Sequence, residues 1–142
     1  MKRFIAAALF VACGASAAFA GPIEDRQQLM KNIQAATKDA VGIMHATGPF
    51  DAAKAKAVLQ VDVDGAAKLP ALFPKGTETG SKTAADPKIW SDPAGFKAAA
   101  MKFGDDAKAA QAATDTASFT TAFVAVTKDC GACHGAYRVK PQ

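Results

Sequence analysis

Cys130-Gly131-Ala132-Cys133-His134, close to the end of a 142-residue chain, is the stretch on which the reading of the rest depends. Cys-x-x-Cys-His is the pattern of covalent c-type haem attachment. Two thiols can add across the two vinyl groups of a haem, and the adjacent imidazole reaches the iron from the same side. On a helix, residues three apart share a face, so Cys130 and Cys133 present their sulfurs together with His134 beside the second. A dithiol redox pair and part of a zinc site are the other readings of these residue types. The zinc reading needs four ligands, and outside the cluster the chain offers only His45 and Cys13.

Upstream, Lys2 and Arg3 precede an apolar run from Phe4 to Ala12 and small residues ending in Ala18-Phe19-Ala20. That is the layout of a secretory signal peptide over residues 1–20, leaving residues 21–142 as one small domain and placing it in the periplasm. The run is too short for a membrane span, and no later stretch is long enough for one. Val11-Ala12-Cys13-Gly14 loosely resembles a lipoprotein processing site, but Phe10 stands where leucine is usual, so a lipid anchor at Cys13 is not expected. Losing Lys2 and Arg3 reduces the formal net charge of +4 by two. No basic run interleaved with aromatics is present, so nucleic acid is not the expected partner.

The alanine-rich remainder, with its apolar residues at helical spacing, predicts an all-α protein. A first helix over Ile23 to Thr47 opens with Pro22 and the acids Glu24 and Asp25, and Gly48-Pro49 stops it. Met30, Ile33, Val41 and Met44 fall on one stripe, joined by Thr37 and Ala40. Asp51 is the expected N-cap of a second helix, with Phe50 stapled onto its first turn. Its inner face carries Ala55, Val58, Leu59, Ala66 and Leu69, and Pro70 and Pro74 end it. Residues 70 to 92 form a long connection with ordered islands at Leu72-Phe73 and Ile89-Trp90. Trp90 is expected as a plug under this loop and as a contact to haem. Asp92-Pro93 starts a third helix, to about Ala113, burying Phe96, Ala99 or Ala100, Phe103, Ala107 and Ala110. A fourth, beginning near Asp115 to Ser118, aligns Phe123, Val126, Cys130, Cys133 and Tyr137. The fold expected is an antiparallel four-helix bundle with covalent haem on the C-terminal helix.

Arg26-Gln27-Gln28-Leu29-Met30, Leu69-Pro70-Ala71-Leu72-Phe73-Pro74, Pro87-Lys88-Ile89-Trp90, and Cys130 to His134 followed by Tyr137-Arg138 together resemble the class II c-type cytochromes, the cytochrome c prime family. The two proline-bounded stretches are most similar to its low-spin cytochrome c-556 branch. The resemblance implies one covalent haem c attached at Cys130 and Cys133, with His134 as proximal iron ligand and Met30 as the sixth. It also implies a basic residue at Arg138, near the proximal imidazole or a propionate, and a dimer through the first two helices as one assembly state. High-spin relatives can carry a methionine here without using it. Arg26, one turn before Met30, could offer a guanidinium to a propionate from the same face; the alternative leaves Met30 in the core and Arg26 in solvent. His45 suits the dipole at the end of the first helix.

The function expected is a periplasmic carrier of single electrons, low-spin and His/Met-ligated, meeting redox proteins by collision and catalysing no bond chemistry. The competing reading is a five-coordinate haem binding nitric oxide or carbon monoxide. A peroxidase would want a distal histidine, and nothing places His45 over the haem.

Overall fold

A computed structural model describes residues 21–80 and 82–139. The signal peptide expected over residues 1–20 and the processing site at Cys13 lie outside the described residues. Helix α1 spans Pro22–Met44, α2 Ala52–Lys68, α3 Lys88–Ser91, α4 Pro93–Ala110 and α5 Thr116–Tyr137, with a 3-10 turn over Leu69–Leu72. The fold is the antiparallel four-helix bundle. Helix α1 packs on α2 and α5, α2 on α4, and α4 on α5, which closes a ring of four, while short α3 rests against α4 and α5.

Each start is chemically marked. Pro22 occupies the first turn of α1, followed by Glu24 and Asp25. The Asp51 carboxylate accepts from Lys54 N at 2.9 Å, and Asp92 from Gly95 N at 3.0 Å ahead of Pro93. Asp115 and Ser118 form a reciprocal capping box at α5, the Asp115 carboxylate accepting from Ser118 N at 2.7 Å. These bonds satisfy amides that a helix leaves unpaired.

The ends depart from expectation. Helix α1 stops at Met44, three residues before Thr47, because His45 N bonds back to Val41 O and Ala46 N to Ile43 O in a tightened last turn. Helix α4 stops at Ala110 rather than Ala113, again through amides turning back by three residues. Val41, expected on the inner stripe, is 40% exposed, and Ile23, Ile33, Ala36, Ala40 and Ile43 form the buried face instead. Phe50 places its ring 5.8 Å from Phe119 of α5, joining the far end of the core.

The core divides into two parts. One, built around Leu59, Phe103, Phe119, Phe123 and Val126, fills the bundle. The other, Leu69, Ile89, Phe96, Ala100 and Tyr137, lies where the 69–91 segment crosses the helices. Helices α2 and α4 come close enough that a Cβ on Gly104 would lie 2.9 Å from Ala66 Cβ. Among the described residues, the charged side chains Arg26, Asp62 and Asp129 are also buried.

Candidate haem site

A cleft of about 540 Å3 opens between α1, the 69–91 segment and the end of α5. Met30 and Ile33 reach it from α1, Leu69, Phe73 and Ile89 from the connecting segment, Phe96 from α4, and Cys130, Cys133, His134 and Tyr137 from α5. A smaller cavity of about 50 Å3 is also lined by Met30, Cys130, Cys133 and His134. The structure therefore gathers a thioether, two thiols and an imidazole, which the sequence separates by a hundred residues, around one apolar space.

Its basic groups have no acidic counterpart in the lining. Arg26, Lys31, Lys82, His134 and Arg138 line the cleft, and among the described residues no carboxylate does. His134, an exposed residue of α5, is lowered from its ordinary pKa first by partial burial and then by Arg138. A neutral imidazole is the form that binds a metal. Burial is the first cause that raises Cys130 and Cys133, followed by Asp62 for the former and by Asp129. Redox-active dithiols depend on a lowered pKa, so these two thiols do not have the character of an exchange pair. Among the described residues no group of three His, Cys, Asp or Glu side chains is arranged to hold a metal ion.

Arg26 lies in the cleft wall, 4% exposed. Its guanidinium donates to Leu72 O at 3.3 Å, Thr77 Oγ1 at 3.0 Å, Thr77 O at 2.8 Å and Thr83 Oγ1 at 2.7 Å. It also sits 4.6 Å from the Phe73 ring centroid, in cation–π range. Arg26 thus anchors the segment covering the cleft, a role the sequence reading missed because its partners are loop threonines and carbonyls. Phe73 continues into a row of edge-on rings, 4.8 Å to Phe96 and 5.3 Å from Phe96 to Tyr137. Tyr137 ends the row by donating to Asp92 Oδ2 at 2.9 Å. The covering segment is tied at its other end by an isolated bridge between Ala85 and Arg138.

Trp90 is half-buried, donates from Nε1 to Pro74 O at 3.2 Å and packs on Phe73, but it is not part of the cleft wall. His45 caps α1 and is exposed, and Met101 is exposed on α4. Met44 packs against the bundle core.

These residues fit a haem: the cavity lies within the roughly 300–1,000 Å3 of cofactor-sized sites, its walls are apolar, both thiols are free, and its charges suit propionates. A sequence model of the family described as Cytochrome C' matches residues 21–138. This chain belongs to the cytochrome c' family.

It is similar to cytochrome c-556 of Agrobacterium fabrum strain C58, with 41% identity covering 99% of this chain and 97% of the relative. The solved cytochrome c' of Rhodopseudomonas palustris superposes with a TM-score of 0.80 at 35% identity, over 87% of this chain and 99% of that one. An oxidised R. palustris cytochrome c556 gives a TM-score of 0.74 at 28% identity, over 85% and 98%. Like the other members of the cytochrome c' family, the chain carries covalent haem c, and its c-556 relatives support an electron-carrying role. No helix among the described residues is long and apolar enough to cross a membrane.

Proposed function

We propose that this cytochrome carries single electrons in the periplasm, with haem attached at Cys130 and Cys133 and the iron held low-spin between His134 and Met30. The observation that carries the reading is that Met30 of α1 and His134 of α5 line the same two cavities as both thiols. Bound haem supplies one-electron chemistry, and Met/His ligation raises its potential relative to two nitrogen ligands. The chain's part is to hold both ligands on rigid helices, so that electron exchange demands little rearrangement, and to keep water out with Leu69, Phe73, Ile89 and Phe96. Arg138, exposed and lining the cleft, would pair with a propionate; Arg26 would contribute a donor beyond those already given to the loop. The leader-like residues 1–20 support export, and the cationic cleft edge supports encounters with acidic faces of redox proteins.

Optical spectra of the ferric and ferrous holoprotein, with and without carbon monoxide, test the proposal. The expected result is a low-spin spectrum indifferent to carbon monoxide, and one that becomes gas-sensitive in Met30→Ala. A high-spin spectrum that shifts at once in the unmutated protein would remove Met30 as a ligand and favour a gas-binding haem.

A further inference from the structure

Asp62 stands where the helix pattern calls for an apolar side chain. It lies between Leu59 and Ala66 on the inner stripe of α2, 0% exposed, and neither carboxyl oxygen has a hydrogen-bond partner. An ionised carboxylate with no partner is strongly disfavoured in such a place, and the group responds by binding a proton. Burial accordingly pushes Asp62 up to about 7.

Among the described residues no cation offsets it. Helix α2 packs on α1, α4 and the 69–72 turn. On α1, Lys31, Lys38 and Asp39 are exposed and Arg26 is held by the loop. The turn has no ionisable residue. On α4, Lys102 is paired with Asp106 and with Asp129 of α5. Leu59 and Ala66, which flank Asp62, belong to the core cluster against which Met30 and Cys130 pack, and the charge of Asp62 helps to raise the Cys130 thiol. A carboxyl within electrostatic reach of a haem-attachment sulfur, in an interior that screens poorly, is also within reach of the charge that haem gains and loses. Binding of the electron and of the proton then favour each other, and the coupling is reciprocal.

We propose that Asp62 is a redox-linked proton site, taking up one proton from solvent as the haem takes one electron from its donor, and releasing it when the electron leaves. The proton ends on a carboxyl oxygen and the electron on the haem, so the charge of the interior is unchanged by reduction. The inference rests on one-electron cycling at the haem and not on Met30 as a ligand.

Spectroelectrochemical titration of the holoprotein against pH tests it. The midpoint potential should fall as pH rises around 7, by at most about 59 mV for each tenfold drop in proton activity. That slope should vanish in Asp62→Asn. Redox-difference infrared spectra of the unmutated protein should show a protonated-carboxyl band growing on reduction and shifting with 13C-aspartate labelling, which decides the matter should the variant fail to fold. A flat potential in the unmutated protein, a slope that persists in the variant, or a band insensitive to aspartate labelling would each overturn the assignment. Carbon monoxide added to the same samples reports separately on Met30.

Discussion

Replacing Asp62 by Asn should change the pH dependence of stability in a way that can be worked out in advance. The ordinary pKa of this carboxyl is 3.8, and burial raises it to about 7 in the folded chain. Between these values the folded state holds a proton that the unfolded state has released. The unfolding free energy therefore falls as pH rises from the first value to the second, and stays low above it. At about 1.36 kcal/mol per pKa unit, the loss is on the order of 4 kcal/mol. Asn keeps the size and removes the ionisation, but its amide carries one more buried donor than the protonated acid, which, left unsatisfied, costs about 1–3 kcal/mol. The variant should thus be less stable than its parent near pH 4 and equal or more stable near pH 9, the two curves crossing between. Asp92, Asp106 and Asp115 have lowered pKa values, through hydrogen bonds from Gly95 N, Lys102 and Ser118 N respectively. Their contributions are present above 3.8 and are lost as pH falls below it, equally in both proteins, so they cancel in the difference. Urea unfolding of the holoproteins, followed by far-ultraviolet circular dichroism from roughly pH 4 to pH 9, measures it. Parallel curves with a constant offset would refute the reasoning.

Arg26→Ala should lower the unfolding free energy by on the order of 3 kcal/mol, since it strands several half-buried acceptors and removes a buried side chain. It should also speed hydrogen exchange at the amide of Thr83, which is bonded to Gly80 O; unchanged protection there would show that Arg26 does not hold the loop. Gly104→Ala gains about 1 kcal/mol of helix propensity, yet should destabilise by about 1 kcal/mol net because α2 and α4 must separate. Ala66→Gly in the same chain should restore the loss, and a more stable single variant would contradict the close approach.

The helices were legible because their caps are local: Asp51, Asp92 and Asp115 each meet an amide three residues on. The Cys130-x-x-Cys133-His134 cluster was legible for the same reason, since its pattern lies within five residues. Arg26 and Asp62 were harder, though their spacing carried a signal. Arg26 precedes Ile33 and Ala40 by one and two heptads, and Asp62 fills the gap in the stripe Ala55, Leu59, Ala66, Leu69. For Arg26 the sequence reading offered a propionate or solvent, whereas its partners in the structure lie 46 to 57 residues away, in the 69–72 turn and the loop that follows it. Asp62 has no partner to find.

The two ties on the covering segment also bear on the order of assembly. Arg26 fastens it to the first helix, and Val139 N to Ala84 O, with Asp86 N to Tyr137 O, fastens it beyond the last. Both ties close long loops, whose entropic cost falls due only after the helices have found one another. Local helix formation does not meet that cost, so this strap depends on contacts between residues far apart in the chain. Fastened at both ends, it walls the cleft that Cys130, Cys133 and His134 line from the other side.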